Sequence, residues 1–187
     1  IRRVEGAFKL FDVLRIDHFR GLESYWAVPY GEKTAKIGRW VKGPGMKLVR
    51  VLSSWFYGNA FIAEDLGYMT PEVQALLRDS GFPGMKVLEF AFDPREPSDY
   101  LPHTYPNNCV CYTGTHDNDT LAGWQREVEP DSLSFAEAYL GLNRKEGFVR
   151  GMIRGGMGSV ADLFIAQMQD WLELGAEARV NVPGIPD

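Results

Sequence analysis

The chain has 187 residues, of which 45% are hydrophobic and 13% are aromatic, and its formal net charge at pH 7 is −5. This composition can bury a substantial core and excludes an intrinsically disordered chain. Basic residues are scattered among acidic ones, without the clustered positive charge that nucleic acids and anionic membranes attract. No apolar run approaches the roughly 20 residues of a membrane-spanning helix. We therefore expect a globular protein that binds a neutral partner, with no nucleic acid and no membrane.

Short apolar runs recur along the chain between turn-forming residues. Runs of this kind are typical of buried strands. The five predicted strands cover residues 11–16, 60–63, 85–90, 109–113 and 161–166. A long loop over residues 21–45 follows the first of them.

Helical signals lie between these runs. Thr70 can cap a helix that has Pro71 in its first position, and Gly81 can end it. A second helix is predicted from about Asp119, with that aspartate as its expected cap. A mostly helical stretch is predicted over residues 134–154. Strands that alternate with helices indicate a parallel sheet covered by helices.

Three acidic residues follow three of the predicted strands. They are Asp17, Glu64 and Asp117. Each alone has an ordinary alternative interpretation: Asp17 as a turn cap, Glu64 as the partner of a surface lysine, and Asp117 as a helix cap. Together they favour a barrel, which gathers the carboxyl ends of many strands at one mouth, over a doubly wound sheet.

The number of strands limits this interpretation. A complete (β/α)8 barrel has eight strands and about 250 residues, so five strands predict only part of one. We expect residues 1–187 to form a partial catalytic barrel domain whose N-terminal part is missing. Alone, such a piece exposes open sheet edges, which predicts an inactive chain that is prone to associate.

Paired carboxylates after strands suit glycoside chemistry. A retaining mechanism needs a carboxylate nucleophile and a carboxylic acid that protonates the leaving oxygen. Arg15 precedes Asp17 by two residues, so both side chains point to the same side of an extended strand, where the guanidinium can orient the carboxylate. Glu64 has to be protonated when substrate binds, and burial or the charge of Asp17 favours that state. Asp65 is turned away from Glu64 by strand alternation.

Metal and cofactor patterns are incomplete in this sequence. The segment 117–119 hints at a calcium loop, but Leu121 and Ala122 stand where that loop needs an oxygen ligand and a glycine. The glycine cluster at 155–158 precedes an apolar run and lacks the lysine of a phosphate-binding loop. His18 and His116 have no third ligand at metal spacing. We therefore expect no metal and no cofactor.

The two cysteines of the chain, Cys109 and Cys111, lie two positions apart in a predicted strand. This spacing is poor for a disulfide and short of a zinc set. Buried, reduced thiols are expected, which favours a reducing compartment.

Six motifs together resemble one enzyme family. The chain is similar to the C-terminal part of 4-α-glucanotransferases, the amylomaltase or disproportionating-enzyme family, which is glycoside hydrolase family 77. The motifs are RIDHFRG (15–21), GRWVKGPG (38–45), IAEDLG (62–67), GMKVLEFAFD (84–93), YTGTHDNDT (112–120) and EARVNVPG (177–184). The resemblance covers nearly the whole chain.

The resemblance implies a (β/α)8 barrel with three catalytic acids. Asp17 matches the nucleophile, Glu64 the general acid/base, and Asp117 the acid that stabilises the transition state. Further matches imply binding residues: Arg15 holds the nucleophile, His116 contacts the sugar, and Asp93 and Asn181 bind substrate. The long loop offers aromatic faces for sugar rings on Tyr25, Trp26 and Trp40.

The activity so implied moves an α-1,4-glucan segment from a donor to the 4-hydroxyl of glucose or a maltooligosaccharide, without a cofactor. Maltooligosaccharide, starch or glycogen is the implied partner, and the location is cytoplasmic, or plastidic in a plant or alga. Two alternatives stay open: an α-glucan hydrolase of the same clan, and a non-catalytic starch-binding piece. The glycine cluster at 155–158 departs from the family pattern and is expected to weaken its helix by about 1 kcal/mol per glycine.

Overall fold

The computed structural model describes residues 1–58 and 60–185, and it divides the chain into two compact units, Ile1–Met85 and Lys86–Asp187. The helices described are α1 Arg2–Ala7, α2 Met46–Trp55, α3 Pro71–Ser80, α4 Leu121–Glu127, α5 Pro130–Leu140, α6 Phe148–Met157 and α7 Met168–Trp171. The strands described are β1 Val13–Ile16, β2 Ser24–Ala27, β3 Arg39–Lys42, β4 Ala60–Ala63, β5 Gly84–Val87, β6 Cys109–Tyr112 and β7 Leu163–Ile165. In the part of the chain that is described, no helix has the length and hydrophobicity that crossing a membrane requires.

The first unit is built around two parallel strands. β1 pairs with β4 in a register that aligns Ile16 with Ala63. Phe19 and Ala63 are fully buried beneath α2 and α3, together with Val49 and Leu76. The ring of Phe8, which follows α1, contacts Phe61 of β4 edge-on, and Phe56 and Phe82 extend this core through tilted contacts. The core therefore fixes the carboxyl ends of both strands.

The helix after β4 follows the predicted capping pattern. The Thr70 hydroxyl accepts a hydrogen bond from the backbone N–H of Val73, and Pro71 occupies the first helical position. Gly81 ends the helix in the left-handed conformation, with φ of 70°. These predictions are confirmed.

The predicted long loop over residues 21–45 was wrong in part, because it contains two strands. β2 and β3 pair antiparallel and place Trp26 opposite Trp40. Aromatic residues favour strands and cross-strand aromatic pairs stabilise them, which explains the pairing. The segment between them kept the two strands from being recognised as one hairpin.

A three-stranded sheet has the order β5-β6-β7, and its strands β6 and β7 lie in the second unit. β6 and β7 are parallel, with Cys111 opposite Phe164. Helices α4, α5 and α6 pack on this sheet around Leu121, Met152 and Phe92, which are buried. Both cysteines are buried thiols outside any disulfide, as predicted. Burial raises the pKa of the Cys111 thiol to about 11, which keeps it protonated.

Element boundaries in the second unit differ from the prediction in three places. The predicted strand 85–90 ends at Val87 and continues as a tight turn over Leu88–Phe90. The predicted helical stretch is two helices, broken where Gly141 and Gly147 take φ of 61° and 87°. The cap of α4 is Thr120, whose hydroxyl accepts from the Gly123 N–H, rather than the predicted Asp119.

Glycines in α6 have a packing role that the sequence interpretation missed. A Cβ built on Gly156 would lie 2.3 Å from Cε2 of Phe164, and one on Gly155 would lie 2.7 Å from Cδ2 of Leu140. These glycines lower the helix propensity of α6, but they allow the helix to pack closely against Leu140 and Phe164.

We expect Gly156→Ala to destabilise the full-length protein by about 1–3 kcal/mol, because overpacking outweighs the gain in helix propensity. Chemical denaturation of the parent protein measures this difference. The matched control is Gly6→Ala in α1, where no atom lies within 4 Å of the added Cβ. A Gly156→Ala protein as stable as the control variant would contradict the packing argument.

Candidate active site

Asp17 and Glu64 lie at the same end of one parallel strand pair. Each follows the last aligned residues of β1 and β4, Ile16 and Ala63. The Glu64 N–H donates to the Ile16 carbonyl at 2.9 Å, and the Phe19 N–H donates to the Glu64 carbonyl at 3.0 Å. Backbone hydrogen bonds thus continue past the strand ends and hold the two acidic residues side by side.

The Asp17 carboxylate is oriented by Arg15. Nη2 of Arg15 lies 2.7 Å from Oδ1 of Asp17, so the contact predicted from strand alternation is present. The other guanidinium nitrogen, Nη1, contacts Sδ of Met85 at 3.8 Å. The Asp17 side chain is 75% exposed, whereas the Arg15 side chain is 26% exposed. The guanidinium is therefore the fixed partner, and the carboxylate is free to meet a reactant.

The Glu64 carboxylate is held by backbone N–H groups. Oε2 accepts from His18 at 2.7 Å, and Oε1 accepts from Leu66 at 2.8 Å. His18 takes φ of 46°, a left-handed conformation that is uncommon outside glycine. The Glu64 carboxylate thus accepts from backbone N–H groups, whereas the alternative interpretation paired it with a surface lysine. Two hydrogen bonds fix the position of Glu64 beside the Asp17 loop.

Asp65 contacts the start of β5 rather than the partners of Glu64. Its Oδ1 accepts from the Met85 N–H at 2.6 Å. A Cβ on Gly84 would lie 2.5 Å from Oδ2 of Asp65, so glycine is required for this close approach. Asp65 therefore fastens the start of β5 to the loop that carries Glu64.

In the second unit, Asp117 belongs to a hydrogen-bonded group of three residues. Nδ2 of Asn181 donates to Oδ1 of Asp117 at 2.9 Å and to the His116 carbonyl at 3.1 Å. Nε2 of His116 lies 3.5 Å from Oδ2 of Asp117. Arg179 adds a hydrogen bond to the Asp117 carbonyl at 3.1 Å. Three residues singled out by the sequence thus meet, although Asn181 is 64 positions from Asp117.

Two other predicted binding residues have local partners. Asp93 accepts from the side chain of Arg95 through both carboxylate oxygens, at 2.8 and 2.6 Å. Arg95 lowers the pKa of Asp93 to about 2. The indole N–H of Trp26 donates to the Ala35 carbonyl at 2.9 Å, and its ring packs edge-on against Trp40 at 5.5 Å.

Glu89 is an acidic residue of the second unit that the sequence interpretation missed. It is buried, and its Oε1 has no hydrogen-bond partner among the described residues. Burial, followed by the charges of Asp170 and Asp119, raises the pKa of Glu89 from 4.5 to about 9, with Arg179 acting in the opposite direction. A glutamate inside the apolar run 85–90 was the signal that could have identified it.

Asp170 lies in the same buried region and is well bonded. Its Oδ2 accepts from the Thr113 hydroxyl at 2.6 Å, and its Oδ1 accepts from the Leu121 N–H at 2.7 Å. Burial raises the pKa of Asp170, and these hydrogen bonds oppose the rise. Asp170 thereby ties the loop after β6 to the start of α4.

The raised pKa of Glu89 predicts a pH-dependent stability. Between pH 4.5 and about 9 the folded protein keeps a proton on Glu89 that the unfolded chain releases. Because the folded state binds more protons there, the free energy of unfolding falls as pH rises, by up to about 1.4 kcal/mol per pH unit. Glu89→Gln should remove this pH dependence. The free energy of unfolding of the variant, relative to that of the wild type, should therefore rise from pH 5.5 to pH 8.5.

Chemical denaturation of the full-length protein at several pH values measures the effect. Glu137→Gln, at an exposed position of α5, is the matched control and should leave the slope unchanged. An unchanged pH dependence in Glu89→Gln would show that Glu89 is not protonated in the folded protein.

The chain matches a known protein family over its whole length. The sequence profile described as 4-alpha-glucanotransferase, glycoside hydrolase family 77, matches residues 1–187. A 4-alpha-glucanotransferase of Clostridium butyricum is 50% identical over 184 residues, covering 98% of this chain and 38% of that protein. One of Aquifex aeolicus is 51% identical, covering 100% of this chain and 38% of that protein.

A solved structure has the same fold. The amylomaltase from Streptococcus agalactiae in complex with acarbose superposes with a TM-score of 0.91 at 34% identity, covering 98% of this chain and 37% of that one. The mixed α/β fold of this chain is thus similar to that of part of an amylomaltase. The chain belongs to the 4-alpha-glucanotransferase family, glycoside hydrolase family 77. It spans little more than a third of the length of these relatives.

Proposed function

We propose that the protein to which this chain belongs is a 4-α-glucanotransferase with a retaining mechanism. The observation that carries the proposal is the pairing of Asp17 and Glu64 at the carboxyl end of β1 and β4, with Arg15 bound to Asp17. Family membership supports it, because the motifs around these residues are those of the family. The substrate is an α-1,4-glucan such as a maltooligosaccharide, starch or glycogen.

The proposed reaction has two displacement steps. The Asp17 carboxylate attacks C1 of the donor sugar while the bond from C1 to the glycosidic oxygen breaks, and Glu64 gives its proton to that oxygen. The acceptor 4-hydroxyl then attacks C1, its proton passes to Glu64, and the ester bond to Asp17 breaks. Transfer exceeds hydrolysis when an acceptor sugar is held where water would otherwise attack.

Asp117 is proposed to stabilise the transition state, in which positive charge develops on the sugar ring. Support comes from its motif and from the side chains that position it, Asn181 and His116. Arg15 is proposed to keep Asp17 oriented, and His116 and Asn181 to contact the sugar. Asp93 and Trp26 are proposed as further contacts with the glucan.

The parallel strands of this chain are proposed to belong to a (β/α)8 barrel. The greater length of the curated relatives supports the view that the remaining strands come from residues outside these 187. We also propose that residues 1–187 alone are inactive.

Incubating the full-length protein with maltotriose tests the proposed activity. Transfer predicts a ladder of longer maltooligosaccharides together with glucose. Shorter sugars alone would replace the proposal with a hydrolase, and binding without products would replace it with a non-catalytic glucan-binding protein.

A further inference from the structure

A cleft of about 300 Å³ opens in the first unit, beside the strand pair β2-β3. Its volume lies at the lower end of the range of small-ligand sites, about 300–1,000 Å³. The residues that line it come from the turn after β1, the two strands and the start of α3: Arg20, Glu23, Ser24, Trp40, Lys42, Tyr68, Thr70 and Glu72. None of them carries a role in the proposed chemistry.

Arg20 gives this cleft an unused hydrogen-bond donor. It is only 7% exposed, and its Nη1 donates to the Tyr68 carbonyl at 2.7 Å. Its Nε has no partner among the described residues. The guanidinium carbon lies 4.6 Å from the centre of the Trp40 ring. The Trp40 ring attracts the positive charge of the guanidinium, but it has no lone pair that could accept the Nε proton. A buried N–H without an acceptor costs folding free energy. An oxygen atom of a ligand would satisfy it.

The charges around the cleft balance. Lys42 donates to Glu23, and this hydrogen bond is the largest of the effects that lower the pKa of Glu23. The pKa of Glu72 is lowered by its own backbone N–H and by the Thr70 hydroxyl. Two carboxylates thus face two cations, Arg20 and Lys42. A lining with donors and acceptors but no net charge suits a neutral polyhydroxyl ligand rather than a phosphate or another anion.

The aromatic wall of the cleft is held in place. Trp40 is 56% exposed, and Trp26 packs edge-on against it from the facing strand. The hydrogen bond from the Trp26 indole to Ala35 fixes this second ring. A rigid aromatic face beside hydroxyl-binding groups is an arrangement that a sugar ring can use, with its apolar face on the indole and its hydroxyls on Arg20 and Glu23.

We propose that this cleft is a subsite that binds one glucose residue of an α-glucan. The proposal rests on the proposed function and extends it. Arg20 follows Asp17 by three positions, through the turn Phe19–Leu22, so the cleft is connected to the loop that carries the proposed nucleophile. Trp40 is the aromatic platform, Arg20 the hydrogen-bond donor, and Glu23 the acceptor. Of the aromatic residues predicted in this region, Trp40 lines the cleft and Trp26 supports it.

Kinetics of the full-length protein with maltotriose test the subsite. Trp40→Ala should raise KM about tenfold, the loss expected for one good contact, and leave kcat at saturation within about twofold of the wild type. Trp40→Phe, which keeps an aromatic face, should restore most of the affinity. Trp55→Ala, which removes a tryptophan that is 68% exposed on α2, is the matched control and should leave KM unchanged.

Crystals of the full-length Asp17→Asn protein soaked with maltotriose give a second readout. A glucose ring stacked on Trp40, with a hydroxyl within hydrogen-bond distance of Nε of Arg20, is the expected result. A KM in Trp40→Ala within about twofold of the wild type, or a cleft without sugar in these crystals, would overturn the subsite. The oligosaccharide ladder of the wild type tests the proposed function separately, since a protein that only hydrolyses maltotriose would still show the KM change.

Discussion

Replacing Asp17 with asparagine in the full-length protein should reduce transfer from maltotriose by a factor on the order of 10⁴ or more, as expected for a nucleophile. The amide has nearly the same size as the carboxylate but cannot form the sugar ester. The geometry points to a loss in kcat, because Asp17 is exposed and its partner Arg15 remains in place. Initial rates of glucose release from maltotriose measure this factor.

Asp12→Asn is the matched control, because Asp12 precedes the opposite end of the same strand and is exposed. It should keep wild-type activity. Turnover by Asp17→Asn within about tenfold of the wild type would remove Asp17 from the role of nucleophile.

Replacing Glu64 with glutamine should lower kcat for maltotriose by about 10²–10⁴, the range for loss of general acid–base catalysis. The two hydrogen bonds that hold Glu64 come from backbone N–H groups, and a glutamine carbonyl can accept only one of them well. A donor with fluoride as its leaving group needs no protonation. With α-maltosyl fluoride, Glu64→Gln should therefore release a burst of fluoride equal to the enzyme concentration and then turn over slowly.

The burst separates a catalytic role from a structural one. Glu5→Gln, at an exposed position of α1, should behave as the wild type. Glu64→Gln that loses activity equally toward maltotriose and the fluoride would indicate that Glu64 only supports the loop.

Local signals in the sequence predicted the elements that local chemistry determines. The cap, first residue and end of α3 depend on Thr70, Pro71 and Gly81, each of which acts within one turn of its own backbone. β4 has the predicted bounds, Ala60–Ala63. The contact between Arg15 and Asp17 follows from strand alternation alone. The positions of Asp17, Glu64 and Asp117 after apolar runs identified the candidate acids, and the family motifs implied their separate roles.

Features that depend on distant partners could not be predicted. The pairing of Trp26 with Trp40 needs a register across an intervening loop. The raised pKa of Glu89 depends on burial and on charges as far along the chain as Asp170. The fit of Gly156 against Phe164 depends on how α6 packs on β7. In each case the deciding partner is set by tertiary packing rather than by neighbouring residues.

Mass spectrometry of a trapped intermediate tests the central claim most directly. Full-length Glu64→Gln, treated with α-maltosyl fluoride and digested at low pH, should yield a peptide containing residues 15–20 with a maltosyl group on Asp17. The ester should persist when an acceptor sugar is added before digestion, because the acceptor hydroxyl then lacks Glu64 as its base. A maltosyl group on any other residue, or a fluoride burst without a labelled peptide, would contradict the assignment of Asp17 as the nucleophile of a retaining glucanotransferase.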